Sequence, residues 1–308
     1  MMVFTDNISF TDTLLEQHFH WEKISSGSLE IPLRNLSIRL FNNNTMYSTQ
    51  SSISGNSDYF FITKFARESQ YYSMLELTKQ NKNLPAKIFC IAGSGENFHG
   101  NRNRRWESPP GNIYLTAYFS PKIILEGFAS AFLALSAVSV LEVIDSYIEL
   151  TGKASVKWVN DILIDGAKVA GVLSHCQTTG SILTDVIIGI GLNVETKPES
   201  EPTIYVPKAA CLNDCLNKES MITFGDTAKR LIQKLIFNYN LIVSNRMQVL
   251  LNKYRERSIV VGKHVEIYSD YDSNEKIADG EVERIGENLE LYLKGQSKPF
   301  INGRLVLV

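Results

Sequence analysis

The chain has 308 residues, of which 44% are hydrophobic and 21% charged, and its 31 basic and 33 acidic residues give a net charge of −2. These values are ordinary for a soluble globular protein, and the length allows one large domain or a large domain with a small one. The charge balance argues against nucleic acid or an anionic membrane as the main partner of the whole chain. The four cysteines are too few and too scattered for a disulfide framework, and the first ten residues do not resemble a secretory leader, so we expect a cytoplasmic location.

The first 57 residues carry the weakest structural signal. Residues 42–58 are rich in Asn, Ser, Thr and Gly, which predicts a loop or linker. No helix-turn-helix pattern is evident before that segment. We therefore treat residues 1–57 as an N-terminal extension of unclear fold.

Strands and helices alternate from Tyr59 onward. The pattern predicts strands at 59–65, 87–92, 112–119, 155–164, 168–176 and 186–194, and helices at 69–80, from Pro121 through 144, and at 225–257. Asp165 and Gly166 form a hairpin turn signal between two of the strands. Residues 123–144 are apolar over about the length of a membrane span, but the segment contains Glu126 and Glu142, so we expect a helix buried against a sheet.

The last fifty residues have a different character, with short strands separated by turn residues. Strands that close within so short a segment predict a small barrel or sandwich. The predicted fold is therefore α+β. A mixed sheet with packed helices forms a large domain at 58–257, and a small all-β domain follows at 258–308.

The first motif with chemical content is the glycine- and arginine-rich segment GSGENFHGNRNRRWESPPG at residues 93–111. Its glycines allow backbone N–H groups to face a ligand, and Arg102 and Arg104 supply guanidinium groups that bind phosphates and carboxylates in a bidentate manner. The spacing matches neither a Walker loop nor the dinucleotide fingerprint. Taken alone, the segment is equally compatible with a flexible basic surface loop.

The second motif is KWVNDILIDGAKVAGV at residues 157–172. If this segment begins as a continuous strand, alternation places Lys157 and Asp161 on one face and Asn160 on the other. Lys168 then lies across the hairpin and faces the same site as Lys157. Taken alone, the pattern also fits a surface hairpin with solvated lysines.

The third motif is GIGLN, with Gly189, Gly191 and Asn193 at the end of an apolar strand. Glycines inside a strand mark either the close approach of a ligand or another backbone, or a β-bulge.

Together and in this order, the three motifs resemble those of the biotin–protein ligase (holocarboxylase synthetase) family. That family's pattern is a Gly/Arg loop ending in Trp, then Lys-Trp-Pro-Asn-Asp, Lys-x-Ala-Gly-(Ile/Val)-Leu and Gly-x-Gly-x-Asn-Val. Here the loop ends in RNRRW, and the later motifs stand as KWVND, KVAGVL and GIGLNV. The resemblance extends over residues 59–308. It implies a class II synthetase-like catalytic domain followed by a small SH3-like domain.

The resemblance also implies an activity. Such enzymes form biotinyl-5′-AMP from biotin and ATP with Mg²⁺, and they then transfer biotin to a lysine of a biotin carboxyl carrier domain of a carboxylase. It implies catalytic roles for Lys168, Arg104, Lys157 and Asp161, with Lys168 bridging the biotin carboxylate and the α-phosphate. It implies ligand-binding roles for the following residues, none of them a metal ligand: Ser69, Gly100, Arg102, Trp106, Asn160, Gly171, Gly189, Gly191 and Asn193.

Several positions depart from the family pattern. Val159 replaces a proline, Asn101 stands where arginine is usual, Asn103 replaces a common glycine, and Gly95 stands where the family has glutamine. We hypothesise that this loop holds the adenylate less tightly than is usual. Two other functions stay open: a lipoate–protein ligase-like enzyme, which shares the fold, and a non-catalytic regulator that binds biotin or a nucleotide.

Overall fold

The computed structural model describes residues 65–80, 84–199, 201–217, 220–271 and 275–308, together with the backbone of three strands nearer the N-terminus. Within these residues the chain forms a large mixed sheet with packed helices, a small C-terminal sheet and a short two-stranded hairpin. The predicted mixed sheet with packed helices is confirmed.

The first twelve strands build the large sheet and the short hairpin. They are β1 (His20–Glu22), β2 (Tyr47–Ile53), β3 (Asn56–Thr63), β4 (Lys87–Ala92), β5 (Phe98–His99), β6 (Arg105–Trp106), β7 (Ile113–Phe119), β8 (Ile123–Ile124), β9 (Ala154–Lys157), β10 (Asp161–Ile164), β11 (Ala167–Thr179) and β12 (Ile182–Leu192). Ten of them form one sheet in the order β1-β2-β3-β4-β7-β12-β11-β10-β9 with β8 paired to β12, and β5 pairs with β6. Strands β4 and β7 are buried along their whole length, which explains their continuous apolar sequences.

The prediction of a loop at residues 42–58 is wrong over much of its length. Strands β2 and β3 pair there in antiparallel fashion, and β3 continues across residue 58 in parallel with β4. A β-ladder is made by backbone groups, so a polar run without alternating apolar residues can still form one. Residues 1–19, 23–46 and 54–55 of the proposed N-terminal extension lie outside the described residues.

Four helices cover the described part of the sheet: α1 (Gln70–Gln80), α2 (Phe128–Asp145), α3 (Phe224–Val243) and α4 (Met247–Glu256). Helix α2 is long and apolar enough to cross a membrane, yet 67% of it is buried inside the protein, as expected for a helix packed on a sheet. It begins at Phe128 and not near Pro121 as predicted. Residues 123–124 instead pair with β12, and Gly127, at φ +65°, precedes the helix.

The predicted helix at 225–257 is two helices, α3 and α4. Asn245 has φ +57°, its N–H donates to the carbonyl of Ile242, and the N–H of Arg246 donates to the carbonyl of Leu241. These two bonds form a Schellman motif, in which a left-handed residue ends a helix. The chain turns there, so that α4 also packs against α2.

The predicted strand at 155–164 is also interrupted. Strands β9 and β10 pair antiparallel to each other, with Lys157 opposite Asp161, and residues 158–160 form the turn. The indole Nε1 of Trp158 donates to the carbonyl of Leu289, and the hydroxyl of Tyr254 donates to the carbonyl of Val159. These tertiary bonds satisfy polar groups of a turn that the strand-like sequence did not reveal.

The C-terminal residues form a four-stranded antiparallel sheet. Its strands are β13 (His264–Tyr268), β14 (Lys276–Ile285), β15 (Leu291–Leu293) and β16 (Arg304–Leu307), in the antiparallel order β15-β14-β13-β16. Their buried side chains, Val265 and Leu305 among them, belong to the same hydrophobic cluster as α2 and the large sheet. The small sheet is therefore fixed against the rest of the protein, beside the cavity described next.

Candidate active site

One cavity of about 520 Å³ lies between the large sheet, the β5–β6 hairpin and the C-terminal sheet. Every candidate residue from the sequence lines it: Ser69, Gly100, Arg102, Arg104, Trp106, Lys157, Asn160, Asp161, Lys168, Gly171, Gly189, Gly191 and Asn193. Residues 201–209 and the start of β16 complete the wall. The structure thus brings together segments that are far apart in the chain.

A β-bulge aims Lys168 into this cavity. Asp161 lies opposite Gly171, but Leu163 lies opposite Lys168, because the register between β10 and β11 shifts between these pairs. Side chains alternate between the faces of a strand, so in a regular ladder Lys168 and Asp161 would point to opposite faces. The bulge places both side chains on one face.

Lys168 and Asp161 form an ion pair at the centre of the site. Lys168 Nζ lies 2.6 Å from Asp161 Oδ1, and the two side chains are 17% and 19% exposed. The same ammonium lies 4.9 Å from the centre of the Trp106 ring. The backbone of Lys168 is also fixed, since its N–H donates to Lys208 and its carbonyl accepts from Ala210. The position of the ammonium is therefore determined from several directions.

Lys157 is a second, more deeply buried cation. It is only 5% exposed, and its Nζ donates to the carbonyl of Tyr205 at 2.6 Å. Burial lowers the pKa of Lys157, Asp161 opposes that change, and the nearby cations Lys168 and Arg304 reinforce it. Lys157 and Asp161 do share a face, because they lie opposite each other in the β9–β10 hairpin and not because they alternate along one strand.

The glycines of β11 and β12 form a floor without side chains. Gly171 and Gly191 are directly opposite each other, and the indole of Trp106 lies against both. An added Cβ would lie 2.8 Å from Cζ3 of this indole at Gly171 and 2.6 Å from its Cε2 at Gly191. At Gly189 an added Cβ would lie 3.0 Å from Cδ2 of Tyr71. These positions therefore admit flat rings close to the backbone, which a larger residue would exclude.

The Gly/Arg segment is an ordered hairpin rather than an open loop. Gly100 N donates to the carbonyl of Arg104 at 2.6 Å, and Arg104 Nε donates to the carbonyl of Asn101 at 2.8 Å. Arg102 and Asn103 at its tip both have φ +57°, the left-handed region. Asparagine tolerates that conformation better than most residues, which explains how Asn103 can stand where the family has glycine.

Arg102 contacts the C-terminal sheet. Its Nη2 lies 3.6 Å from Asp270 Oδ2, and its guanidinium carbon lies 4.5 Å from the centre of the Tyr271 ring. The side chain that resemblance assigns to biotin and the phosphates therefore joins the hairpin to the small sheet in this structure.

Two of the polar candidates have hydrogen bonds that position the backbone. Ser69 Oγ accepts from the N–H of Tyr71 at the start of α1. The side-chain amide of Asn160 donates to the carbonyl of Val172, which fixes the turn at 158–160 to β11. Both side chains border the cavity, and both also stabilise the elements that form it.

Asn193 is different, because half of its amide has no partner within the described part of the chain. Its Nδ2 donates to the carbonyl of Ala210 at 3.0 Å, whereas the buried Oδ1 accepts no hydrogen bond there. A buried amide oxygen without a donor is costly. It is suited to a ligand that brings an N–H or O–H.

The residues that border the cavity but were not identified from the sequence include Tyr205, Asp270 and Arg304. The guanidinium carbon of Arg304 lies 3.3 Å from the centre of the Tyr205 ring, and its Nε is buried without a hydrogen bond among the described residues. The available signal was one cation after a glycine at the start of an apolar strand, NGRLVLV. That signal is too weak to predict that a residue of the C-terminal sheet lines a cavity beside the large sheet.

One protein-family model matches a part of the chain that contains the site. Residues 68–193 match the biotin/lipoate A/B protein ligase family. The chain is similar to that family over these residues, which are less than half of its length. The matched segment contains all three motifs and the Lys168–Asp161 pair.

Curated proteins that are similar to part of this chain are named as ligases. The chain is 33% identical over 140 residues to the bifunctional ligase/repressor BirA of Bacillus subtilis, an alignment that covers 43% of this chain and 42% of the relative. It is 36% identical over 128 residues to the biotin–[acetyl-CoA-carboxylase] ligase of Paracoccus denitrificans, with 41% and 52% covered. The chain thus matches only about half the length of these relatives or less.

Solved structures share the fold over a longer part of the chain. A biotin protein ligase from Aquifex aeolicus in complex with biotin and ATP superposes with a TM-score of 0.62 at 20% identity, covering 81% of this chain and 98% of that one. A biotin protein ligase-like protein of unknown function from Silicibacter sp. gives a TM-score of 0.54 at 10% identity, with 77% and 88% covered. At these identities the similarity establishes the fold alone.

Proposed function

We propose that this protein is a biotin–protein ligase, which forms biotinyl-5′-AMP and transfers biotin to a lysine of a biotin carboxyl carrier domain. The observation that carries the proposal is the Lys168–Asp161 pair, which a β-bulge places beside the glycine floor of the cavity. The names of the relatives, one of them a biotin–[acetyl-CoA-carboxylase] ligase, support the choice of biotin and of a carboxylase as partner.

In the first step, a carboxylate oxygen of biotin attacks the α-phosphorus of ATP, the bond from that phosphorus to the bridging oxygen breaks, and pyrophosphate leaves. Negative charge on the phosphoryl oxygens is stabilised by fixed cations. The ammonium of Lys168 has three N–H donors, and one points at Asp161. The other two can bridge the biotin carboxylate and the α-phosphate, while Asp161 holds the ammonium in position.

In the second step, the neutral amine of the carrier lysine attacks the acyl carbon of the adenylate. The bond from the acyl carbon to the phosphate oxygen breaks, AMP leaves, and the new amide nitrogen loses a proton. Arg104 and Lys157, which line the same cavity, stabilise the phosphate of the leaving AMP.

The remaining candidates have binding roles in this proposal. Ser69 and Gly189 contact the ureido end of biotin, and Gly171 and Gly191 admit the adenylate against the backbone. Asn160 and Asn193 contact the nucleotide, and the unpartnered Oδ1 of Asn193 supports that role. The β5–β6 hairpin covers the ligand with Gly100, Arg102 and Trp106.

Mg²⁺ accompanies ATP in this proposal. No group of three or more His, Cys, Asp or Glu residues able to hold a metal occurs in the described part of the chain. Mg²⁺ is usually bound by one or two carboxylates together with substrate phosphates, and Asp161 and Asp270 line the cavity. The ion would neutralise phosphate charge when bound, and these carboxylates would be its protein ligands.

Finer features of the fold and setting are part of the same proposal. We assign residues 1–57 to an extension whose strands β1 and β2 join the edge of the large sheet, 58–257 to a class II synthetase-like domain and 258–308 to an SH3-like domain. The four cysteines are free thiols, which fits a reducing cytoplasm. The protein has a net charge of −2, so we propose that it binds neither nucleic acid nor membranes. A DNA mobility-shift assay and a vesicle-sedimentation assay would test this.

The test is ATP-dependent transfer of labelled biotin to a carboxyl carrier domain, with lipoate in parallel. Transfer of biotin that is abolished in Lys168→Ala, but not in the exposed control Lys263→Ala, would support both the ligase and its site. Transfer of lipoate instead would identify a lipoate–protein ligase. Binding of biotin without any transfer would point to a non-catalytic regulator.

A further inference from the structure

Arg304 is a cation that the C-terminal sheet contributes to the cavity of the candidate active site. It is the first residue of β16, its guanidinium stacks on Tyr205 with Cζ 3.3 Å from the ring centre, and its buried Nε has no hydrogen bond among the described residues. Burial lowers the pKa of Arg304, and the nearby Arg104 lowers it further. The protein thus partly desolvates a guanidinium beside another one, whereas Tyr205, Asp270 and Asp161 act on its pKa in the opposite direction, and a bound anion would offset the remaining cost.

The charges around Arg304 are unbalanced. The cations that line the cavity with it outnumber the carboxylates: they are Arg102, Arg104, Arg105, Lys157, Lys168 and Lys208, against Glu107, Asp161, Glu201 and Asp270. Asp161 is paired with Lys168 at 2.6 Å. Asp270 is 3.6 Å from Arg102 and accepts from the N–H of Gly303 at 3.2 Å. The excess of positive charge suits a ligand with several negative charges.

Tyr205 links Arg304 to Lys157. The tyrosine's carbonyl accepts from Lys157 Nζ, and its ring supports the Arg304 guanidinium. Both cations therefore lie at the side of the cavity formed by residues 201–209, whereas the glycine floor lies on β11 and β12. If Lys168 and Lys157 contact the α-phosphate, as in the proposed function, Arg304 is placed for the phosphates that follow it in the triphosphate.

We propose that Arg304 binds the β- and γ-phosphates of the nucleoside triphosphate, and the pyrophosphate that leaves. A guanidinium held flat on an aromatic ring presents its N–H groups at a fixed angle, which suits bidentate contact with phosphate oxygens. The inference rests on the proposed function only for the order of the phosphates. Binding of a polyphosphate at Arg304 can be measured without turnover.

The experiment uses the full chain with Arg304→Met, Arg304→Ala and Arg304→Lys. Methionine retains packing against the Tyr205 ring without the charge, and lysine retains the charge without the fork. Arg284→Ala is the matched control, because Arg284 also stacks on a tyrosine of the C-terminal sheet, with Cζ 3.5 Å from the Tyr292 ring centre, but does not line the cavity. Calorimetry measures the affinities for ATP with Mg²⁺ and for pyrophosphate, and a single-turnover assay measures transfer from preformed biotinyl-5′-AMP.

Arg304→Met and Arg304→Ala should weaken ATP and pyrophosphate binding about tenfold or more. Arg304→Lys should recover part of the loss, and Arg284→Ala should change neither affinity. Transfer from biotinyl-5′-AMP should be unchanged, because the adenylate has no β- or γ-phosphate. Unchanged ATP and pyrophosphate affinities in Arg304→Met would overturn the proposal. An equal loss in transfer from the adenylate would also overturn it, since Arg304 would then only shape the cavity.

The two proposals fail in different ways. If the wild type transfers neither biotin nor lipoate but binds pyrophosphate through Arg304, the ligase proposal is wrong and the assignment of Arg304 stands. If the wild type transfers biotin and Arg304→Met retains full affinity for ATP and pyrophosphate, the ligase proposal stands and the assignment of Arg304 is wrong.

Discussion

Lys168 and Asp161 form an ion pair, with Nζ 2.6 Å from Oδ1, on a face of the sheet that they share only because β11 contains a bulge. Both side chains are less than one-fifth exposed, at 17% and 19%. The pair therefore has the two properties that a positioned catalytic cation needs, which are partial desolvation and a fixed direction.

Removing the ammonium should abolish most of the adenylation rate. We expect Lys168→Ala to lower kcat about 100- to 1,000-fold, the range typical for loss of one positioned electrostatic donor. Asp161→Asn should lower kcat less than Lys168→Ala does, because it frees the ammonium to move but leaves it present. Pre-steady-state formation of biotinyl-5′-AMP measures both. Equal rates for the Lys168→Ala variant and the wild type would remove Lys168 from the mechanism.

The contact between Trp106 and Gly191 gives a second prediction. A methyl group at Gly191 would lie 2.6 Å from the indole Cε2, so Gly191→Ala must displace the ring or the strand. Overpacking of this kind costs about 1–3 kcal/mol, and we expect a loss of stability in that range in urea unfolding. In a Trp106→Ala background the same substitution should cost clearly less. An equal cost in both backgrounds would show that the indole does not rest on Gly191.

The lowered pKa of Lys157 leads to a prediction of how the free energy of unfolding depends on pH. Burial holds its folded-state pKa below the usual lysine value, so the unfolded chain binds this proton more tightly than the folded protein does. The destabilisation that burial of the charged Lys157 causes is fully present below the folded-state pKa of this lysine. It disappears as the pH rises towards the pKa of lysine in the unfolded chain, about 10.4.

The measurement is urea unfolding of wild type and Lys157→Met at several pH values. Methionine has no titrating group, so the stability of the wild type relative to the variant should rise from neutral towards alkaline pH. Lys263→Met, which removes an exposed lysine side chain, is the control for the substitution itself. A difference between wild type and Lys157→Met that is constant with pH would contradict the depressed pKa.

Local sequence signals were sufficient to predict the elements whose geometry depends on neighbouring residues in the chain. Apolar runs predicted β4 and β7, and the Asp165–Gly166 turn was correctly placed, since both residues have positive φ. The motifs also identified residues that line one cavity. These positions could be found because each motif combines polar or charged side chains with the glycines that admit a ligand.

Features that depend on distant contacts could not be predicted. The bulge that orients Lys168 is a register shift between two strands and leaves no mark in the sequence of either. The turn at 158–160 is fixed by Trp158 and Tyr254 through bonds to distant segments. Arg304 reaches the cavity because the C-terminal sheet packs beside it, and neither hydrophobic periodicity nor composition shows that packing.

The β5–β6 hairpin predicts weak retention of the adenylate. Arg102 contacts Asp270 and Tyr271, and Arg104 Nε is used within the hairpin, so two of its cations already have partners. Asn101 supplies no charge where the family usually has arginine. We therefore expect purified enzyme to release free biotinyl-5′-AMP, and Asn101→Arg to slow that release, because a phosphate gains a charge-assisted contact.

The measurement is the rate at which labelled biotinyl-5′-AMP appears in the filtrate after one turnover without carrier domain. Asn97→Arg, at an exposed position of the same segment that does not line the cavity, is the control and should leave the rate unchanged. A wild-type complex that survives gel filtration intact would contradict the prediction, and equal slowing by both arginine variants would mean that added charge acts through general attraction rather than through the hairpin tip.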